Sequence, residues 1–462
     1  MLVRLYERLY IRATLLLLVW VGFLYLPAFA YGFNLSQSYD SALTYNANYL
    51  ASIAKNLASK ESQVQSAALL KPQIGATGAA NENYLNSSGE SLFYHQPTAG
   101  AQFQQVLFDF SKFSGYSKSK FNTQAADLEL ELAKQQLILD VAQAYFDVLY
   151  AKDTLDAIRM SKDFFDKQLN QANHAFSAGS VTIADVNDAK SSYDVAVADE
   201  IKADNELINR KNIFRNLTGL DPELIQPVVQ HIELVSPEPQ SPDKWSTIAK
   251  TNNLNVKLAQ LQMQMAREDV SIATSGHLPT LNLNATYQYQ GDIGVDGASP
   301  AIQQLINQSA GAPGTFLSSF SLGTAAVQVN VPVYSGGAVN SQVRQAKNTY
   351  IATQQQLTAT ERQSDQKIRN AFWQVQNGVN IVNAQTQALK SAALKLKSDQ
   401  TGYQVGIRNS IDLVGSQRNY YQAIQNYNQA RYQYLNARLQ LEFLAGKIDS
   451  KFLKNINANI QP

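Results

Sequence analysis

The chain has 462 residues, 16% of them charged, and its 38 Lys and Arg against 37 Asp and Glu leave a formal charge of +1. An ordinary soluble protein carries about 25% charged residues, so this charge-poor chain cannot hold a polyphosphate through bulk charge, which argues against a nucleic-acid partner. It has no Cys and four scattered His (His95, His174, His231, His277), which excludes thiolate metal sites, disulfides, a Cys nucleophile and a metal-spaced His pair.

At the N-terminus, Arg4, Arg8 and Arg12 precede an apolar run from Ala13 to Leu26 that breaks at Pro27 before Ala28-Phe29-Ala30. A positive region, an apolar region and a small-x-small site in that order predict a secretory signal over 1–30, with the mature chain starting near Tyr31. The competing reading is an uncleaved anchor, but the run is shorter than the ~20 residues a spanning helix needs. No second apolar run follows, so any membrane the mature chain crosses has to be crossed by strands.

The rest of the chain is duplicated. Ala42, Asn46, Asn48 and Pro72 recur as Ala249, Asn253, Asn255 and Pro279 at a spacing of 207, and Gly179, Asp185, Tyr193 and Gly219 recur as Gly406, Asp412, Tyr420 and Gly446 at a spacing of 227. The second copy therefore carries extra residues, and the Gly/Ser/Pro-rich stretch 291–316 is their natural place. These landmarks give a first repeat over 31–240, with a strand hairpin at about 73–110 and helices to 217. The second repeat covers 241–447, with a hairpin at about 280–334 and helices to 445. The stretches 219–242, which includes the Pro-rich run Ser236 to Pro242, and 447–462 read as linker or equatorial segments.

Each copy contains one very long helical stretch. From Ser114 to His174 there is no Pro and no Gly except Gly115, and Leu137, Val141, Ala144, Val148, Ala151, Leu155 and Ile158 alternate gaps of four and three. Ile368, Phe372, Val375, Val379, Val382, Thr386, Leu389, Ala393 and Leu396 repeat the pattern in the second copy. Sustained heptads predict a coiled-coil seam, and some sixty residues make a rod of roughly 90 Å. Shorter helical runs are expected at about 36–70, 183–216, 243–275 and 410–445.

Strands are expected once per copy. Leu281, Leu283, Ala285, Tyr287 and Tyr289 alternate with Asn282, Asn284, Thr286, Gln288 and Gln290, and Val327, Val329, Val331 and Val333 alternate with Gln328, Asn330 and Pro332. Weaker equivalents lie around Ile74 to Tyr84 and Ala99 to Phe110. An apolar face backed by an uncharged polar face fits a half-buried sheet or, in an exported chain, a bilayer-spanning barrel wall with Tyr84, Phe108, Tyr287 and Tyr334 as interface aromatics. Four strands cannot close alone, and lipid does not tolerate an open edge. Two chains would give eight strands, which fill their own lumen, so a conducting pore favours three chains and twelve strands.

The runs His277-Leu278-Pro279-Thr280-Leu281, Tyr334-Ser335-Gly336-Gly337-Ala338-Val339-Asn340-Ser341-Gln342-Val343, Tyr403-Gln404-Val405-Gly406-Ile407-Arg408 and Ala430-Arg431-Tyr432-Gln433-Tyr434-Leu435 resemble the TolC family of outer-membrane efflux ducts. The resemblance extends from about residue 33 to 447, duplication included. It implies a mainly α fold with a β-barrel contribution: a homotrimer with a long coiled-coil α-helical barrel in the periplasm and a twelve-stranded transmembrane β-barrel in outer-membrane lipid. It further implies an exit duct of a tripartite efflux pump or a type I secretion system. Drugs, detergents or proteins would reach it from an inner-membrane pump or ABC transporter through a periplasmic adaptor, with no cofactor.

Family sites carry over residue by residue. Tyr403 matches the gate tyrosine and Gln168 its glutamine partner, while Arg408 matches the gate arginine and Asp185 its carboxylate partner. Asp412 matches the first of two aspartates ringing the pore entrance. The second aspartate position is Gly415, and the threonine that also accepts from the gate arginine is Ala184; both departures imply a gate latched by fewer bonds. Gly179 and Gly406 match the paired turns where adaptor tips dock. Locally, the same glycines fit positive-φ helix caps, Asp185 fits a capping position after Thr182, and Asp412 sits at another helix start.

No His-Glu-x-x-His, Gly-x-Ser-x-Gly, Gly-x-x-x-x-Gly-Lys-Ser/Thr or strand-borne Gly-x-Gly-x-x-Gly is present, so the chain reads as no enzyme. A structural coiled coil, such as an adhesin-like surface protein, is the alternative that explains the heptads but not the strand pairs.

Overall fold

The computed structural model describes residues 32–87, 90–229, 232–291, 294–295, 300 and 319–460. The expected signal over 1–30 and nearly all of the extra stretch 291–316 lie outside the described residues. In chain order the elements are α1 (Leu35–Tyr45), α2 (Ala47–Ala68), β1 (Gln73–Ser87), β2 (Glu90–Phe108), α3 (Phe110–Ser177), α4 (Ile183–Thr218), α5 (Pro242–Asn252), α6 (Leu254–Ser275), β3 (Thr280–Gln290), β4 (Gly294–Val295), β5 (Phe320–Asn330), α7 (Ala338–Gln404), α8 (Ser410–Leu444) and α9 (Ser450–Ile460).

The helices α3 and α7 run unbroken for 68 and 67 residues, rods of about 100 Å. Their heptad residues Leu137, Val141, Ala144, Val148, Ala151 and Leu155 are buried, as are Ile368, Phe372, Val375, Val382 and Leu396. The flanking helices split into two tiers. Next to the sheet, α2 packs on α3, and α6 lies between α3 and α7; in the far tier, α4 packs on α3, and α8 lies between α3 and α7.

The helical runs expected at about 36–70 and 243–275 are each broken once, at Asn46 and Asn253. Asn46 closes α1 and caps α2 by accepting from Tyr49 N, and Asn253 closes α5 and caps α6 by accepting from Asn255 N and Val256 N. Asparagine outcompetes the helix locally because its short side chain satisfies the amides that a new first turn leaves open. The breaks let the two tiers meet end to end. Ser41 Oγ donates to Thr218 O at 2.8 Å, and Asn253 Nδ2 donates to Leu444 O at 2.8 Å. Gly219 and Gly446 make the turns there at φ +72° and +65°, and a Cβ on Gly446 would lie 2.5 Å from Asn252 O.

The large buried side chains gather at this junction. Tyr145, Phe146, Phe214, Trp245, Tyr434 and Leu435 are almost fully buried, each contributing about 1.5–3 kcal/mol through apolar burial. Their polar ends are satisfied by the irregular segments around them: Tyr145 Oη donates to Gln226 O at 2.6 Å, Trp245 Nε1 to Pro239 O at 2.9 Å, and Tyr434 Oη to Val235 O at 2.9 Å. From α8, Arg431 reaches Asp153 of α3 at 2.8 Å, and Tyr432 Oη donates to the same carboxylate at 2.9 Å.

At the end of the rods where α3 and α7 begin, the sheet is antiparallel throughout in the order β1-β2-β3-β5, with the two-residue β4 pairing with β2. Its register keeps both faces continuous. Ile74, Phe103, Ala285 and Ala325 lie in one row, and Gly75, Gln102, Thr286 and Thr324 lie in the next, on the other face. Along the polar face Asn284 Nδ2 donates to Gln328 Oε1 at 3.1 Å, and the hydroxyls of Thr286 and Thr324 are 2.6 Å apart. Two strand ends differ from expectation. The run Val327 to Val333 was expected as one strand, but β5 covers Phe320–Asn330, leaving Val331, Val333 and Tyr334 58%, 92% and 87% exposed. Pro332 has no N–H to give the ladder, so pairing stops before it. Strand β2 ends at Phe108 rather than Phe110, because Asp109 accepts from Ser111 N at 3.0 Å and starts α3.

Candidate functional site

The two turns farthest from the sheet are built alike. After α3, Gly179 N donates to Phe176 O and Ser180 N to Ala175 O, both at 2.9 Å; after α7, Gly406 N donates to Tyr403 O at 3.1 Å and Ile407 N to Gly402 O at 2.9 Å. Both are Schellman closures, which need a residue at positive φ, and Gly179 and Gly406 supply φ +78° and +81°. No atom lies within 4 Å of where a Cβ would be at either glycine, so conformation rather than space requires glycine there. Val405, Ile407, Ile411 and Ile183 are exposed around the two turns, by 66%, 78%, 72% and 55%.

The next helices start from side-chain caps. Thr182 caps α4, and Asp185 completes the box: its Oδ2 accepts from Thr182 N at 2.8 Å and from Thr182 Oγ1 at 2.7 Å. Those two bonds, the side-chain one foremost, hold the Asp185 carboxyl below the usual aspartate range. Asn409 caps α8 by accepting from Asp412 N at 2.7 Å, which puts Asp412 in the first turn. Both carboxylates thus sit at helix N-termini, where the macrodipole favours negative charge.

Within the chain, the residues carried over as a gate meet other partners. Gln168 Nε2 donates to Ser410 Oγ at 3.0 Å, joining α3 to the start of α8, and its Oε1 is buried. Tyr403 is half-buried and, among the described residues, makes no side-chain hydrogen bond. Arg408 turns back on its own hairpin: its Nη1 is 3.6 Å from Asp412 Oδ2, and its Nε is 3.6 Å from Asp399 Oδ1. Inside one chain Asp185 carries no ion pair to Arg408, and Tyr403 makes no hydrogen bond to Gln168.

Asp399 and Ser410 were not singled out in the sequence. Lys395 four residues before Asp399 gave the available signal, an ion pair of a kind that usually marks a solvated helix face. Here the Asp399 side chain is 4% exposed, with Lys395 Nζ at 2.5 Å. That hydrogen bond to Lys395, more than any other group, holds its carboxyl below the usual range. Among the described residues no cluster of His, Asp or Glu could hold a metal ion, and no helix is long and apolar enough to cross a membrane.

Two copies of one hairpin, each on a ~100 Å rod leading from a two-faced sheet, form the geometry that comparison with known proteins explains. The family described as outer membrane efflux protein matches residues 39–220 and 245–447. This chain belongs to that family. The efflux protein is 31% identical over 430 residues to the outer membrane protein TolC of Salmonella enteritidis, covering 92% of this chain and 84% of that one. It is 23% identical over 440 residues to the alkaline protease secretion protein AprF of Pseudomonas aeruginosa, covering 93% and 88%. In fold it matches the CmeC outer membrane channel of Campylobacter jejuni with a TM-score of 0.76 at 17% identity, over 93% of this chain and 90% of that one. The resemblance read from the sequence therefore holds, and the efflux protein is an outer-membrane protein whose family and fold are those of channels rather than enzymes.

Proposed function

We propose that three copies of this efflux protein form a continuous exit duct through the outer membrane and periplasm. The observation that carries this reading is the sheet. Strands β1 and β5 are its unpaired edges within one chain, every residue of β5 is exposed, and one face is mainly apolar, with Glu82 and His95 only toward the β1–β2 tip, while the other is mainly amides and hydroxyls, with Phe320 and Leu322 only at the start of β5. Lipid tolerates such edges only when they pair, and strands of 11 residues such as β3 and β5 suit a bilayer. Pairing β5 of one copy with β1 of the next closes twelve strands, apolar face outward. The rods α3 and α7 of each copy, with the shorter helices stacked in tiers beside them, then continue the wall into a tunnel, and the segments 219–242 and 447–462 form a belt around its middle.

The duct performs no chemistry. Cargo enters at the far turns, where Gln168, Asp185, Tyr403, Arg408 and Asp412 of three copies converge and close the resting channel through contacts between protomers. Gly179 and Gly406 hold the turns in a shape that a periplasmic adaptor's hairpin tips engage, with exposed Val405, Ile407 and Ile183 as the apolar part of that surface. The adaptor favours the open arrangement by binding it more tightly, a population shift limited by its differential affinity. An inner-membrane pump or ABC transporter supplies drugs, detergents or proteins; likeness to AprF, named for alkaline protease secretion, supports protein cargo beside small molecules.

Crosslinking in outer-membrane vesicles tests the assembly: a ladder ending at three supports the duct, and a folded monomer overturns it. Deleting the gene and measuring sensitivity to dyes and detergents alongside secreted protease activity then assigns the cargo class.

A further inference from the structure

Arg408 does not extend from its turn but folds back along α7. Its path crosses Gly402, a buried glycine in the last turn of that helix, where an added Cβ would lie 2.6 Å from Arg408 Cγ and 3.4 Å from Arg408 Cβ. Glycine inside a helix costs about 1 kcal/mol relative to alanine, and its missing side chain here is the space the arginine stem fills. At the end of that path is Asp399, one helical turn back, its carboxylate among the most buried charged groups of the far tier. Three elements face it: Lys395 on α7 at 2.5 Å, Arg408 on the turn at 3.6 Å, and Ser416 on α8. Arg408 Nη1 meanwhile lies 3.6 Å from Asp412. The guanidinium therefore has two acidic partners on its own hairpin.

We propose that Asp399 is a positioning residue for the gate arginine: it holds Arg408 on its own hairpin, so that Arg408 reaches a neighbouring protomer's Asp185 only by leaving Asp399. The inference rests on the gate reading above and adds a second resting place for the arginine. Arg408 meets Asp399 only with its stem folded over Gly402, and Asp185 lies in the other hairpin, held by Thr182, so extending the stem toward a neighbouring copy draws Nε away from Asp399. The two contacts are alternatives, and their difference in free energy sets the fraction of time the entrance is latched. Lys395 competes with Arg408 for the same carboxylate and thereby moderates the holding contact.

Single-channel recording of purified trimers in planar bilayers tests this. Asp399→Asn, close in shape, frees Arg408 for the neighbour and lowers resting conductance by about 1.5- to 5-fold, the range expected from a partly exposed ion pair. Lys395→Gln leaves Arg408 as the cation on Asp399 and raises conductance. Asp399→Asn combined with Arg408→Ser matches Arg408→Ser alone, because Asp399 acts through the arginine. A purely structural role for Asp399 would overturn the proposal by moving Asp399→Asn and Lys395→Gln in the same direction, or by making the double variant additive. If Arg408→Ser alone conducts like the unaltered channel, the gate reading fails and the switch falls with it. If Arg408→Ser changes conductance while Asp399→Asn does not, only the positioning role is lost.

Discussion

The side-chain amide of Asn253 donates to the backbone carbonyl of Leu444 across 2.8 Å, tying the first turn of α6 to the last turn of α8. The same side chain accepts from Asn255 N and Val256 N, and the residue is 4% exposed. Asn253→Ala removes a helix cap and leaves a buried carbonyl without its donor, which together cost about 2–4 kcal/mol. Asn409→Ala removes only an exposed cap, costing about 1 kcal/mol. Denaturant unfolding in detergent measures both, and equal losses would mean that the bond across the junction contributes nothing.

Gly446 and Gly406 share a backbone conformation but not a setting. A side chain at positive φ costs about 1–2 kcal/mol at either place. Gly446→Ala also drives its methyl to 2.5 Å from Asn252 O, whereas Gly406→Ala meets open space. Gly406→Ala is expected to fold and reach the outer membrane, and Gly446→Ala to lose far more stability and accumulate poorly. Outer-membrane yields and melting temperatures of the two variants decide this.

Arg431 is 4% exposed and bonds Asp153, whose carboxyl burial pushes above the usual range. Arg431→Leu leaves that carboxylate without its counter-charge and with the Tyr432 hydroxyl as its remaining donor, a loss of about 1.5–3 kcal/mol near neutral pH. An acid with a raised folded pKa contributes most below its unfolded pKa and loses that contribution as pH rises through the folded value. Removing Arg431 raises the folded value further, so the variant's deficit shrinks as the pH falls from neutral toward the ordinary aspartate value of about 3.9. A deficit unchanged across that range would trace the loss to packing rather than to Asp153.

In the proposed trimer Asp412, in the first turn of α8 with its side chain 42% exposed, supplies an acidic ring at the entrance. Asp412→Ala is expected to reduce cation preference, read as a smaller reversal potential in a salt gradient. Tyr403→Phe deletes one neutral hydrogen bond, worth about 0.5–1.5 kcal/mol, and changes resting conductance less than Arg408→Ser does. The opposite ranking would make the tyrosine the chief latch.

The long helices were legible because their burial period persists over many turns: Leu137 to Leu155 and Ile368 to Val382 report one face again and again. The asparagine breaks were visible only as repeat landmarks, Asn46 and Asn253, because a single capping residue does not interrupt an apolar period and the helices resume at once. The end of β5 was misread because Val331 and Val333 keep the alternation going, while the missing N–H of Pro332 leaves no mark on hydropathy. The turn glycines were readable from local chemistry as well as from family likeness. Asp399 was not, because a Lys–Asp pair four apart looks solvated until a residue nine positions on folds back and helps to bury it.

The two far turns have superimposable hydrogen bonding and unlike side chains. Shifted by the spacing that relates Gly179 to Gly406, the counterparts of Lys395, Asp399 and Arg408 are Gln168, Ala172 and Val181. This Lys–Asp–Arg set thus belongs to the second hairpin, and the first carries amide and aliphatic groups at the matching positions. In a ring of three chains the tips therefore follow two different symmetries, sixfold in backbone shape and threefold in charge. An adaptor that grips by shape can dock six times around the ring, whereas one that seeks an arginine finds it at every second tip.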